Sequence, residues 1–311
     1  MLGVLSGFVA IWLVVGVGWL LAHTQVLKAD SQLLLSRLSF YVGNPALMVM
    51  MMSTADVRRI FAGNLLVTVF ATLATGVIYL VVARTILRSR PDLGHTVIGT
   101  FASCYVNGGN MGLPIAAYVL HDVTWIAPLL LVQVGVLQPL GLALLDVDAA
   151  RRGGHATSWQ RNLTMPFRNP MTVGTLLGIA LNLLHLHVPA VLATPLDMLG
   201  SLAVPTMLLA FGVSLRLGRL PGRGPERREV ALLSLLKLVV QPLIALAGAR
   251  VAGLDATTTR AVTVLAGLPT AQNIFSHAVR YQRSVVLARD VVFVTTIASV
   301  GTLTVIASLV G

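Results

Sequence analysis

Ten apolar runs, most of them close to 20 residues long, follow one another along this 311-residue chain with short connectors between them. They lie near residues 3–23, 33–53, 62–87, 95–120, 123–145, 169–186, 189–215, 229–252, 257–281 and 286–309. A helix needs about 20 apolar residues to cross a bilayer core ~30 Å thick. Lipid leaves backbone groups nothing to bond but each other, which restricts spanning structures to helices and closed barrels. The pattern predicts an all-α integral membrane protein with ten transmembrane helices. Composition agrees, since 56% of residues are hydrophobic and 11% charged, where a water-soluble domain carries roughly 25% charged residues. With one cysteine, Cys104, there is no intramolecular disulfide and no Cys-based zinc cluster.

Charge placement orients the bundle. The net charge of +11 could point to nucleic acid, but the basic residues sit in loops between apolar runs, so no nucleic-acid partner is expected. With the N-terminus outside, the inner loops and flanks hold 17 of the 22 Lys and Arg residues and the outer ones 4, with Lys237 inside a run. Cytoplasmic loops are the basic ones, so both termini are expected outside. Residues 3–23 are read as the first helix rather than a signal peptide, because no basic residue precedes Lys28. The expected location is a bacterial cytoplasmic membrane, with the lipid bilayer as solvent. No P-loop is present, so nucleotide hydrolysis by this chain would not drive transport.

Ten runs divide into two fives around the longest connector. We therefore expect a first five-helix repeat over 1–145, a cytoplasmic linker over 146–166 and a second, inverted repeat over 167–311. The interruptions correspond. Pro45 in "NPALM" and Pro205 in "AVPTM" fall within the second and seventh runs. "NGGNMGLP" in the fourth and "AGLPTAQN" in the ninth break near a Gly–x–Pro, at Pro114 and Pro269. Proline inside a helix costs about 3 kcal/mol, so matched breaks ask for a purpose. The restarting half-helix presents N–H donors and partial positive charge, which together seat an anion. Pro114 suits the first turn of one restart, with Gly112 and Leu113 before it; Pro269 and Thr270 suit the other, Thr270 as cap. Asn107, Asn110, Gln272 and Asn273 flank the breaks and can donate to a carboxylate without a permanent countercharge.

These residues resemble the auxin efflux carrier family, which includes PIN-like transporters and bacterial malonate or malate permeases. "NGGNMGLP", "NPALM" and "LPTAQN" carry the resemblance, which extends over nearly the whole chain; the long central loop of the plant carriers is missing. The resemblance implies scaffold helices 1, 2, 6 and 7, transport-domain helices 3–5 and 8–10, and broken helices 4 and 9 that cross beside the substrate. It further implies an elevator-like movement and a homodimer through the scaffold. Asn110 and Asn273 would contact substrate, Asn107, Gly108, Pro114 and Thr270 would form the crossing, and Asn44 and Met48 would face it.

Among ionisable residues in the runs, Lys237 is a functional candidate by default. It would attract anions or take the place of a sodium ion, unless it snorkels to the cytoplasmic edge. Gln133, Gln138 and Gln241 are its expected polar partners. His277, four residues after Asn273, could carry a coupling proton, though a satisfied buried histidine is the commoner case. The aspartates fall at or near the ends of the runs, and no metal or other cofactor is expected. The expected function is a secondary carrier of small organic anions such as mono- or dicarboxylates. A sodium-coupled bile-acid-type symporter and a non-transporting receptor are the alternatives. An enzyme is not expected, as HExxH, GxGD and a Ser–His pair at the breaks are all missing.

Overall fold

The computed structural model describes residues 2–54, 63–85, 92–112, 115–116, 119–122, 125–153, 170–218, 221–222 and 224–309. Pro114 and most of the predicted linker lie outside them. The described residues are helical, with no strand beyond a single isolated bridge. In chain order the helices are α1 (Leu2–His23), α2 (Ala29–Ser53), α3 (Gly63–Thr85) and α4 (Leu93–Cys104). Next comes α5, built of Ile126–Val132, Gln133–Leu137 and Gln138–Arg152. Then follow α6 (Pro170–Leu183), α7 (Ala190–Leu217), α8 (Arg227–Val251), α9 (Ala256–Ala266), α10 (Asn273–Tyr281) and α11 (Val285–Leu309).

Six helical stretches among the described residues are long and apolar enough to cross a membrane: Ala29–Ser53, Asn64–Thr85, Pro128–Arg152, Ala190–Leu217, Arg227–Val251 and Val285–Leu309. Trp12–His23 and Pro170–Leu183 are shorter apolar stretches. The fourth and ninth predicted runs do not form single helices. Large apolar side chains such as Leu66, Val191 and Val251 stand exposed on the bundle's outside, which suits hydrocarbon and not water. Threonine hydroxyls inside the helices fold back on the carbonyl four residues earlier, as Thr68, Thr72 and Thr75 do on α3. An apolar surround leaves them few other acceptors.

α1, α2, α6 and α7 pack chiefly on one another, α1 along α7 and α2 between α6 and α7. α3, α4, α5, α8, α9 and α11 form a second packed set, and α10 lies between the sets, touching α2 as well as α4 and α11. Gly43 lets α2 approach α7: a Cβ there would stand 2.7 Å from the Ala203 backbone.

Two sequence expectations change here. Pro45 does not break its helix. A π turn over Ser39–Gly43 precedes it, Asn44 N donating to Ser39 O five residues back, and the wider turn accommodates the proline ring. The same device recurs at Gln133–Leu137 before Gln138–Pro139 and at Leu236–Val240 before Gln241–Pro242. Each π turn ends on a buried amide followed by proline, and such bulges concentrate at functional sites. α7 is interrupted instead at Leu202, three residues before Pro205. The second change concerns α5, which runs on to Arg152, past the predicted boundary at 145. Asp148 and Arg152 pair one turn apart there, and Asp148 also accepts from Gly94 N at 3.1 Å and Arg283 Nε at 2.9 Å.

Candidate functional site

α4 ends at Cys104, and the chain runs extended through Tyr105–Asn107 before a π turn over Gly108–Gly112. α9 ends at Ala266 and α10 begins at Asn273, leaving Pro269–Ala271 extended. The two extended pieces cross antiparallel. Asn107 N donates to Pro269 O at 2.8 Å and Ala271 N to Tyr105 O at 3.0 Å, bracketing the bridge between Val106 and Thr270. The breaks therefore meet backbone to backbone.

Both restarts lie several residues from where the sequence put them, the first earlier and the second later. The first begins immediately after Asn107, whose carbonyl accepts from Met111 N and Gly112 N, so Gly112 lies within the restarted turn. The second begins at Asn273, which leaves Pro269 and Thr270 in the crossing and not in a first helical turn. Thr270 does not cap α10; its hydroxyl reaches across to Ala102 O at 2.7 Å. Chain pairing uses the extended residues first, and the helices resume where it stops.

Broken helices leave backbone groups that must find partners, and side chains from other helices supply them. The Gln133 amide, turned to suit both groups, donates to Val106 O (3.2 Å) and accepts from Val106 N (2.8 Å). Thr270 N donates to Thr295 Oγ1 on α11 at 3.2 Å. Gln241 Nε2 donates to Cys104 O at 2.9 Å, and Lys237 Nζ donates to Ala266 O at 2.8 Å and Gln241 Oε1 at 2.6 Å. Lys237 is 0% exposed. It does not snorkel, because the Ala266 carbonyl at the end of α9 and the Gln241 side chain hold it inward. Gln241 is itself bonded to Cys104 O at the end of α4, and a cation is favoured there by the helix dipoles. Support for the break thus comes from Gln133, Lys237, Gln241, Thr270 and Thr295.

A cavity of about 90 Å³ opens against the crossing, between the two packed sets of helices. Tyr105, Asn107 and Gly108 line it from the first break, and Gln272 and Asn273 from the N-terminus of α10. Gln133 and Gln138 face it from α5, Asn44 and Met48 from α2. Leu47, Met51 and Met207 add an apolar wall. Gln138 joins the sides: its Oε1 accepts from Asn273 Nδ2 at 3.1 Å and, at a long 3.4 Å, from Tyr105 OH, while its Nε2 lies 3.9 Å from Met48 Sδ. Asn44 Nδ2 is engaged with Ser39 O and Oγ. Asn273 Oδ1 is buried without a partner among the described residues. Gly108 permits the close approach of α5, since a Cβ would lie 3.0 Å from Leu130 Cδ2.

Of the residues expected at the substrate, Asn44, Met48, Asn107, Gly108 and Asn273 come together on this cavity, joined by Gln133. Asn110 falls within the π turn. Thr270, Lys237 and Gln241 sit behind the crossing. His277 does not line the cavity; its ring is buried edge-on to Phe40, with both nitrogens unpartnered among the described residues. It is therefore not the satisfied histidine that is the usual case. Tyr105 and Thr295 carried no assignment from the sequence. A threonine in an apolar run is indistinguishable from those that only bond their own helix, and Thr295 does that too, to Val291 O. The readable signal was the amide–proline pair at 44–45, 138–139 and 241–242. A larger groove of about 500 Å³ between α8, α9 and α11 is lined almost wholly by aliphatic residues, and Leu243, Val305 and Leu309 there are exposed. It offers an anion nothing.

A bundle of apolar helices, two of its runs broken and crossed over a small cavity of neutral donors, is a membrane protein of the transport class. The chain belongs to the membrane transport protein family, the auxin efflux carrier group, whose pattern matches residues 4–145 and 160–307. A relative from Rhizobium meliloti (strain 1021), described as "Putative malonate transporter", is 26% identical over 272 residues, covering 85% of this chain and 82% of the relative.

Proposed function

We propose that the protein is a secondary carrier of small organic anions, mono- or dicarboxylates, bound in the cavity at the crossing. The observation that carries this reading is the cavity itself: amides from both breaks and from α5, with an apolar wall from α2 and α7, at the boundary between two packed sets of helices. The malonate assignment of the relative supports a short carboxylate. In this reading α1, α2, α6 and α7 form a scaffold, and α3–α5 with α8–α11 form a transport domain that slides past it as an elevator. The chain crosses a bacterial inner membrane ten times as two inverted repeats of five, both termini outside, and pairs through its scaffold as a dimer. Lys237 fills the place behind the crossing where a cation would sit, which favours this carrier over a sodium-coupled symporter.

A thermal-shift screen of carboxylates against the purified protein tests the reading. Malonate and its neighbours in size are expected to raise the unfolding temperature with or without sodium, and Asn107→Ala and Asn273→Ala, both at the cavity, to lose most of that shift. Equal stabilisation of parent and both variants would remove the site from the crossing, and a strict sodium requirement would favour the symporter. Uptake into proteoliposomes separates a carrier from a receptor that binds without transport.

A further inference from the structure

The described polar residues that line the cavity at the crossing are amides and one phenol, none of them charged. We infer that the site takes its substrate as a monoanion, either a monocarboxylate or a dicarboxylate that retains one proton, and turns away the dianion. This deepens the reading above and rests on it.

The nearest full charge among the residues that support the crossing is Lys237, and it is already engaged. Its Nζ bonds Ala266 O directly and is tied through Gln241 to Cys104 O. Those carbonyls close the carboxyl ends of α9 and α4, each equivalent to about half a negative charge. The ammonium therefore offsets two helix C-termini, leaving the opposite, N-terminal end of α10 to face the ligand. Such an arrangement suits one negative charge. A second would stand among neutral dipoles with nothing to balance it. A neutral amine at Lys237 would leave still less positive charge, so the conclusion holds for either form.

Magnitudes decide the point. The cost of dehydrating an ion grows with the square of its charge, so a dianion loses about four times what a monoanion loses on entering the same cavity. Its attraction to fixed dipoles grows only in proportion to charge, about twofold. Other ionisable groups nearby do not close the gap. His277, one turn along α10 from Asn273, is packed against Phe40 and off the cavity wall. Arg280, about 10 Å along the helix axis from Asn273, lies over the rings of Phe40, Tyr41 and Tyr281. Tyr281 is itself hydrogen-bonded to Asp146. Leu47, Met51 and Met207 offer the second half of the substrate an apolar surface, which a neutral carboxylic acid tolerates and a carboxylate does not. The described lining holds no Asp or Glu to act as a proton carrier. A dicarboxylate carried with one proton would bring that proton itself.

The experiment compares malonate with malonamate, its near-isosteric monoamide, which stays a monoanion wherever malonate loses its second proton. Affinities for the purified protein are measured by calorimetry from about pH 5 to about pH 8, and the ratio of the two is followed. Any titration of the protein, at His277 or elsewhere, affects both probes and cancels. Malonate is expected to weaken relative to malonamate by about tenfold per pH unit once its second carboxyl ionises. A flat ratio, or malonate binding without malonamate, would overturn the monoanion rule while leaving a carboxylate site in place. If no carboxylate binds at any pH, the proposed function itself fails, and this inference with it.

Discussion

Two polar regions lie along the same set of helices and follow opposite rules. Toward the end where α4 begins and α10 finishes, charges are matched by charges. Asp148 accepts from Arg152, Arg283 and the Gly94 backbone, and Arg283 reaches on to Asp92 at 3.2 Å. Nearby, Glu229 accepts from Tyr79 OH at 2.7 Å and pairs with His95 Nε2 at 2.9 Å, whose other nitrogen meets Ser284 Oγ at 2.8 Å. At the crossing, among the described residues, the one cation is Lys237, bonded to Ala266 O and through Gln241 to Cys104 O, and the other polar groups are amide and hydroxyl. Paired charges pin α3, α4, α5, α8 and the α10–α11 turn to one another. Neutral dipoles hold the breaks together and leave a charge to be supplied by whatever enters.

That contrast can be broken at either end. Lys237→Met should have the largest effect. It removes two hydrogen bonds from a charged donor in a fully buried place, worth on the order of 3 kcal/mol together, and leaves the Ala266 carbonyl unpaired against apolar neighbours. The expected outcome is a clear fall in the unfolding temperature in detergent together with loss of carboxylate binding. A variant as stable as the parent would show that the ammonium is not holding the carboxyl ends of α4 and α9. Asp148→Asn comes next. It weakens two partly exposed ion pairs, so the expected loss is about 2 kcal/mol after allowance for solvent screening. Ligand affinity of the folded fraction should stay as it was. A comparable loss of affinity would mean that the two regions are coupled and not separate.

The sequence made some of this legible and hid the rest for physical reasons. Length and hydropathy made an all-helical membrane chain legible, because lipid enforces both. Among the described residues, six of the runs are helices long enough to span, while the two runs rich in Gly, Asn and Pro do not form single helices. Asn107 and Asn273 could be assigned to one place because they flank interruptions that a membrane helix tolerates only for a purpose, whereas Asn44 and Met48 were placed there by the family resemblance alone. The exact restart points could not be read. They depend on how far Tyr105–Asn107 pairs with Pro269–Ala271, a contact between segments more than 160 residues apart. Nor could the division of labour among the amides. Gln133 and Gln138 lie five residues apart on α5 and look alike in sequence, yet the π turn between them gives Gln133 to the Val106 backbone and makes Gln138 the joint between Asn273, Tyr105 and Met48.

Gln138→Leu sharpens the cavity side of the comparison. It keeps the volume and removes the acceptor for Asn273 Nδ2, so the amide that should meet the ligand loses its orientation. Affinity is expected to fall about tenfold, close to 1.4 kcal/mol, with a smaller change in stability. The calorimetric titration used for malonate measures it directly. An unchanged affinity would show that Asn273 is positioned by its own helix alone.

The smallest effect belongs to the backbone support, and it distinguishes the two breaks from each other. Val106 has both its N–H and its C=O served by Gln133, whereas Thr270 N has one donor bond, to Thr295 Oγ1 at 3.2 Å. Thr295→Val preserves the shape of a fully buried side chain and deletes that acceptor. The hydroxyl's own bond to Val291 O disappears with it, but that carbonyl keeps its place in the helix. The net cost is expected to be about 1 kcal/mol, and Thr295→Ser should recover most of it. Hydrogen exchange is the sensitive measurement, because a weakened crossing opens locally before the bundle unfolds. The Thr270 amide should exchange faster in Thr295→Val, while the Asn107 and Ala271 amides, paired chain to chain, change less. If all three accelerate equally, the crossing opens as one unit and α11 holds both breaks; if none does, the pairing of the two chains is sufficient without it.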